Sequence, residues 1–477
     1  MKTNLPKLNR RRFLLGAAAA ASVSSVPVWA ASKPDVIVLG AGLAGLNAAL
    51  LLEQFGLNVR VLEAGKRIGG RLYTLDDVAG HPEAGGNQIG AAYARTVDTA
   101  KRLGIALRPS GRSPLLSERS LVFDINGRRR SGEEWARATD NPLPAAVRPM
   151  PPDRALGRLI GASPLSSIGA WRDSANFKYD VSVVETLEAH GVNAEALRLL
   201  DVNNSYGDTL AETSLLNLYY VQTNLREILK FKGPVEEVAG GNQRLPEAMA
   251  KALRGDVLRG RVVTQVRTGA RSTTVRCADG SRHKARFVVC ALPLPALRHV
   301  RFEPGLPAPH AEAVQHLAYA RVTQLHLEVK RPFWEDEGVS PFLWSDGPLG
   351  RIFPNDQTGS GKAESLTVWV NGAGTARWDA MPESDLQAQV DEELARVYPS
   401  SKGAVRFARR VAWQQSPLAG GAWANWRPGQ IGRYSHVVGQ PHGPVHFAGE
   451  HTAHALRGME GAMESGERAA GEILALL

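Results

Sequence analysis

The chain is poor in cysteine: Cys277 and Cys290 are the only two in 477 residues. Two isolated cysteines supply neither a disulfide framework nor a metal cluster, so both are expected as packed thiols in or near strands. Excess charge is also modest once the N-terminus is set aside. The formal charge falls from +10 to +5 without residues 1–30, which carry Lys2, Lys7, Arg10, Arg11 and Arg12 and no acid. The later basic runs, Arg128-Arg129-Arg130 and Arg409-Arg410, are too short for a nucleic-acid stripe. Beyond residue 30 no uninterrupted apolar run is long enough for a bilayer span, so no stable membrane anchor is expected. Low-complexity tracts and internal repeats are lacking, which excludes solenoids and disordered scaffolds.

What remains is the composition of a globular protein long enough for two domains, with 43% hydrophobic and 22% charged residues. The start differs. "NRRRFLLGAAAAASVSSVPVWA" puts three arginines before Phe13-Leu14-Leu15, an Ala-rich stretch, and Val28-Trp29-Ala30 as a cleavage site. It resembles a twin-arginine signal, although a serine or threonine is commoner where Asn9 stands. That route exports folded proteins, so a periplasmic protein loaded with cofactor in the cytoplasm is expected. An N-terminal anchor is the alternative, with an apolar run short for it.

Two glycine-rich stretches carry the chemistry. In "DVIVLGAGLAGLNAALLLEQFGLNVRVLEAG", at 35–65, a strand from Val36 to Leu39 runs into Gly40-x-Gly42-x-x-Gly45, and an Ala/Leu-rich helix follows to about Phe55. Gly40 permits the tight turn, Gly42 the close approach of a pyrophosphate, and Gly45 tight helix–strand packing. The helix start, with Leu43 and Ala44, offers its N–H groups to phosphate. A second strand ends at Glu63, followed by Ala64, where a carboxylate accepts from ribose hydroxyls and disfavours a 2′-phosphate. The second stretch, "VHFAGEHTAHALRGMEGAMESGERAAGEIL" at 445–474, is a strand, a Gly-acid pair, a loop and a helix opened by glycines.

After Glu63 come "AGKRIGGRLYTL", with Gly69-Gly70-Arg71, and "EAGGNQIG", with Gly85-Gly86-Asn87. Glycine pairs repeated in this way match close backbone approach over a long cofactor. With them the sequence resembles the flavin-containing amine oxidase family from about 35 to 474, most clearly at both ends and faintly between about 100 and 230. The resemblance implies an α/β fold with an α+β substrate part. Its core is a Rossmann-like FAD-binding domain of glutathione-reductase type (31–95, 232–298, 415–477). An inserted substrate domain, built on an antiparallel sheet with helices, would comprise 96–231 and 299–414. "VAGGNQRLPEAMA" at 238–250 resembles the return to the cofactor domain, and Val263 falls where the family's strand borders the adenine half. The Asp279-Gly280 turn reads as a hairpin.

The resemblance also implies the site. Gly449 and Glu450 would end a strand lying against the ribityl chain and pyrophosphate. Gly458, Met459 and Ala462 would begin a helix aimed at the flavin's N1/C2 edge, where negative charge accumulates on reduction. "SPLAGGAWANWRPGQ" at 416–430 would run beside the isoalloxazine. Ala422 stands where covalently flavinylated relatives have cysteine, so the FAD is expected to be dissociable. Trp423 would be one aromatic flanking the amine, by stacking and cation–π attraction. Gly458 occupies the place of the other, which leaves the cage half built. The lysine that many relatives link through water to the flavin aligns with Gln324, or with Thr323 after a one-residue slip. Gln324 can hold water but cannot act as a base.

The expected activity is FAD-dependent oxidation of a primary or secondary amine to an imine, by hydride transfer to flavin N5 and then hydrolysis. Dioxygen or a periplasmic acceptor would reoxidise the flavin, and a homodimer is among the expected assemblies. An L-amino-acid oxidase, which would need a buried arginine, is the alternative within the family. A flavin-dependent desaturase or a non-catalytic flavoprotein are alternatives of other classes; activity on amines separates all of these.

Overall fold

The computed structural model describes residues 33–110, 121–356 and 362–477. The expected signal segment and its cleavage site lie outside the described residues. Lys33–Leu477 forms one compact unit. Its first element is β1 (Val36–Leu39), all four side chains fully buried, followed by α1 (Leu43–Gln54) and β2 (Val59–Leu62). β1 sits at the centre of a five-stranded parallel sheet between β2 and Phe287–Cys290, with Val257–Leu258 and Val445–Phe447 at the edges. Apolar runs such as Val36–Leu39 and Phe287–Cys290 belong there because both faces of a parallel sheet are covered. On one of those faces α1 packs against the C-terminal helix Gly458–Leu474. Small residues set that distance: a Cβ on Gly466 would lie 2.2 Å from the Ala44 carbonyl oxygen. Asn47, buried between the helices, donates to the Met463 carbonyl at 2.7 Å.

Beside it, Arg282–Ala285, Thr273–Cys277, Val263–Thr268 and Arg301–Glu303 make a four-stranded sheet. Its hairpin turns at Asp279-Gly280, with Gly280 at φ +83°. Cys277 and Cys290 are buried free thiols at strand ends, and burial pushes the Cys290 thiol up to about 12.

The third large element is a seven-stranded sheet in the order Val405–Ala412, Val322–Val329, Ser365–Asn371, Arg351–Asn355, Leu343–Ser345, Val122–Ile125 and Arg128–Arg130. Neighbours are antiparallel apart from the pairing of Leu343–Ser345 with Val122–Ile125. Side chains alternate across it. Leu325, Leu327, Leu366, Val368 and Ile352 bury one face against Leu386, Val390 and Leu394 of the helix Glu383–Val397. On the other face Gln324, Trp369 and Arg351 fall side by side in register.

One boundary differs from expectation. The strand expected to reach Glu450 stops at Phe447, because Gly449 turns the backbone at φ +127° and Glu450 opens the 3₁₀ turn Glu450–Thr452.

Candidate active site

The crevice begins where the parallel strands end at their carboxyl edge, the place where open α/β sheets bind ligands. Gly40 turns at φ +98°, and Gly45 packs so closely that a Cβ there would lie 2.1 Å from the Gly40 carbonyl. Gly42 differs from both: it is the N-cap of α1, makes no side-chain cap, and a Cβ there would meet nothing within 4 Å. Amides of the first helical turn, those of Leu43 and Ala44 among them, have no intrahelical acceptor. Open space in front of capless N–H groups is a cradle for a phosphate. Gly70, at φ +57°, closes it from the other side; a Cβ there would be 3.5 Å from Gly42 Cα.

Glu63 is held by its neighbours. Its Oε2 accepts from Ala41 N–H at 2.8 Å and its Oε1 from Gly65 N–H at 2.7 Å, with the half-buried Ala64 between Glu63 and Gly65 in the chain. Each oxygen keeps a lone pair for a ribose hydroxyl. Arg261 N–H donates to the Glu63 carbonyl at 2.8 Å, which brings the buried Val263 within two residues of this acid.

The second glycine stretch joins the first through one ion pair. Arg71 Nη1 donates to Glu450 Oε1 at 2.9 Å and to the Ala422 carbonyl at 3.0 Å, while the same Glu450 oxygen accepts from Ala424 N–H at 3.0 Å. Burial raises the Glu450 carboxyl, but the charge and hydrogen bond of Arg71, with the Ala424 amide, more than offset it, so the group lies below the ordinary carboxylate range. The chain doubles back at Gly85, where a Cβ would collide with the Arg71 carbonyl at 2.0 Å. Gly86 lies against Met459 of the last helix, with the half-buried Asn87 next in the chain. Ser465 fastens that helix: it accepts from Gly449 N–H at 2.8 Å and donates to the Ala462 carbonyl at 2.7 Å.

The wall expected to face the substrate is aromatic. Trp423 stacks on Trp369, ring centroids 6.5 Å apart and planes inclined by 25°. Trp369 is the cross-strand partner of Gln324 on one side and of Arg351 on the other. Gln324 is buried, and neither atom of its amide has a hydrogen-bond partner among the described residues; nor has the Trp369 indole N–H. Thr323 faces the opposite way, donating to Asp379 Oδ1 at 2.6 Å and accepting from Gln414 at 2.8 Å. Gln324, not Thr323, therefore shares a face with Trp369. Gly458 has φ +62°, and the Tyr93 hydroxyl alone comes within 4 Å of a Cβ built there.

Beyond these, sequence reasoning missed Trp369, Tyr206, Arg351 and Arg457. Arg351 bonds Asp153 at 3.1 Å, Ser205 at 2.9 Å and Asn371 at 2.7 Å. Desolvation raises the phenol of the half-buried Tyr206, with Arg457, Asp153 and Arg351 as smaller influences. The contacts run from Trp423 through Trp369 to Arg351 and on to Asp153 and Ser205.

A glycine turn under a capless helix, an acid at the end of the next strand and a second wall returning from the C-terminus define a dinucleotide-binding oxidoreductase. The chain belongs to the flavin-containing amine oxidoreductase family, whose model matches residues 43–474. An L-amino-acid oxidase of Siganus canaliculatus is 27% identical, over 92% of this chain and 85% of its own. Amine oxidase [flavin-containing] A of Bos taurus is 26% identical over the same shares, 92% and 85%. Among solved structures, cyclohexylamine oxidase from Brevibacterium oxydans IH-35A has a TM-score of 0.76 at 23% identity, covering 93% of this chain and 99% of that one. Wild-type putrescine oxidase bound to putrescine has a TM-score of 0.75 at 23% identity, with the same coverage of 93% and 99%. The structural likenesses show the fold; the family match makes the chain an FAD-dependent amine oxidoreductase.

Proposed function

We propose that the protein oxidises a small primary or secondary amine, using an FAD held without a covalent bond. When bound, FAD supplies the acceptor for the hydride that leaves the amine's α-carbon, and water then hydrolyses the imine. Gly42 and the first-turn amides of α1 would hold its pyrophosphate, Glu63 its ribose, and Gly86, Gly449 and Met459 its middle. Ala422 has no sulfur with which to form a covalent link. The Trp423 face orients the amine by stacking and cation–π attraction, and the Trp423–Trp369 pair excludes water on that side. Gln324 holds a water by its free amide but takes no proton, so the amine must arrive neutral.

The observation that carries this reading is Gln324, a buried amide with both atoms free on the face that also presents Trp369 to Trp423. A buried amide without partners is costly unless a ligand or water completes it. Dioxygen or a periplasmic acceptor would take the electrons, after export through the twin-arginine route read from Arg10, Arg11 and Arg12.

The test is anaerobic mixing of the flavin-loaded protein with a panel of amines and amino acids. Bleaching of the flavin band by at least one of them is expected, and no bleaching by any would overturn the proposal. Oxidation of an L-amino acid is the second reading, favoured by the L-amino-acid oxidase relative. Bleaching by L-amino acids alone would select it.

A further inference from the structure

We propose that Thr367 and His326 are positioning residues for Gln324: they form a one-way string of hydrogen-bond donors that passes through one buried water to Gln324 Oε1 and so fixes the NH2 end of that amide as the end serving the site. The inference rests on the amine-oxidation reading and says how its buried amide is oriented. Residues two apart in a strand point to the same face, about 6.6 Å from each other. His326 therefore lies next to Gln324 on the strand Val322–Val329, and their partners on the neighbouring strand are Thr367 and Trp369. His326 is fully buried, and its Nε2 has no hydrogen-bond partner among the described residues. The same holds for both amide atoms of Gln324 and for the Trp369 indole N–H. Four such atoms on one face of one sheet are costly unless they are completed together.

The direction of the string follows from Asn355. Its Nδ2 donates to Thr367 Oγ1 at 2.9 Å and faces the Ser365 carbonyl at 3.4 Å, which marks it as the nitrogen end of that amide. Thr367 thus accepts from Asn355 and keeps one proton to donate, and His326 Nδ1, at 3.2 Å, is the acceptor beside it. A hydrogen bond accepted at Nδ1 places the imidazole proton on Nε2. The ring is neutral, because burial, and after it the charge of Arg409, lowers His326 to about 3. Arg409, its partner on the other neighbouring strand, is engaged with the Tyr73 hydroxyl at 3.3 Å and with Asp77. Nε2–H is then a buried donor without an acceptor, and Gln324 Oε1 an acceptor without a donor on the same face. One water completes both and can also accept from the Trp369 indole N–H, within the two to four partners usual for a buried water. With Oε1 engaged in this way, the Gln324 NH2 is left to donate into the site. A water held there by that NH2 keeps both of its own protons for donation.

The test uses the flavin-loaded full-length protein carrying isotopically labelled histidine. Nitrogen NMR reads which imidazole nitrogen holds the proton, and His326→Gln assigns the signal. His326 is expected as the Nε2–H tautomer in the wild type, shifting towards Nδ1–H in Thr367→Val, which keeps the shape of Thr367 and removes its proton. Anaerobic flavin reduction at saturating amine should slow roughly three- to ten-fold in Thr367→Val, as for the loss of one hydrogen bond, with the half-saturating amine concentration and FAD retention unchanged. Thr367→Ser, which restores the hydroxyl, should recover tautomer and rate; a packing role for Thr367 would instead make the smaller serine the worse replacement. An Nδ1–H tautomer in the wild type, or an unchanged reduction rate in Thr367→Val, overturns the proposal. Should Thr367→Val fail to fold, an Nε2–H wild type together with a normal tautomer and rate in Thr367→Ser supports the string, and any other result ends it. If no amine bleaches the flavin, the oxidation reading falls, while Nε2–H in the wild type and its loss in Thr367→Val still support the string and Nδ1–H still ends it.

Discussion

Arg71 and Glu450, 379 residues apart in the chain, meet at 2.9 Å, and through the Ala422 carbonyl and the Ala424 amide they pin the loop that carries Trp423. Removing either partner leaves a largely buried charge alone. Glu450→Gln or Arg71→Met is expected to destabilise the flavin-loaded protein by on the order of 3 kcal/mol. The double variant should lose less than the sum of the two, because neither charge is then stranded. Urea denaturation of all four proteins checks this; additive losses would mean that the pair is not coupled.

Stability should fall on mild acidification. Burial lowers His310, His451 and His454 to about 4 and His326 to about 3, so all four fold as neutral imidazoles. Unfolded imidazoles take up protons below about 6.5. The unfolded state then binds more protons, and stability is lost as pH falls from about 6.5 towards 4. Each histidine contributes up to about 1.4 kcal/mol per pH unit in that window. His326→Gln should reduce the slope by close to one proton, and an equal slope in both proteins would refute the assignment.

Acid precipitation should release all the yellow colour into the supernatant. Ala422 engages the Ala320 carbonyl through its amide and Arg71 through its carbonyl, and its side chain is a methyl group. Flavin left in the pellet would contradict this.

Glu63→Ala is expected to weaken FAD retention by about 1.5–3 kcal/mol, the worth of hydrogen bonds to an ionised acceptor. It also frees the Ala41 and Gly65 amides, which Glu63 now orders. Glu63→Gln, which keeps an oxygen for one of them, should lose less. Equal affinity in wild type and Glu63→Ala, by equilibrium dialysis, would move the ribose contact elsewhere.

Gly458 combines a left-handed backbone with open space. Gly458→Ala should cost about 1–2 kcal/mol through backbone strain alone. Gly458→Tyr adds a ring where only the Tyr93 hydroxyl stands within 4 Å of the new Cβ. Its expected signature is a loss of activity on bulky amines together with retained or improved activity on slender ones. An equal loss on every amine, with flavin retained, would mean that Gly458 limits the backbone and not the substrate.

How much of this could be read from the chain alone differs between the two walls. The cofactor wall was legible because backbone geometry demands glycine at positions such as Gly40 and Gly45, and local spacing places Glu63 at the end of β2. The substrate wall depends on register between distant strands. A one-residue slip exchanges the faces of Thr323 and Gln324, and only the pairing of Gln324 with Trp369 resolves it. Trp369 and Arg351 become neighbours through the pairing of the next two strands, so no local pattern announces them. Arg457 lies inside the second glycine stretch, yet its place over the Tyr220 ring is a property of the folded surroundings.

The distance along the chain between Arg71 and Glu450 also orders events on the ribosome. At about 5–20 residues per second, roughly 20–75 s separate the synthesis of the two residues. Throughout that interval β1, α1 and β2 exist without the edge strand Val445–Phe447 and without the helix that packs on α1. The nascent chain therefore holds only half a nucleotide site until residues 445–474 emerge, and tight capture of FAD waits for that second wall.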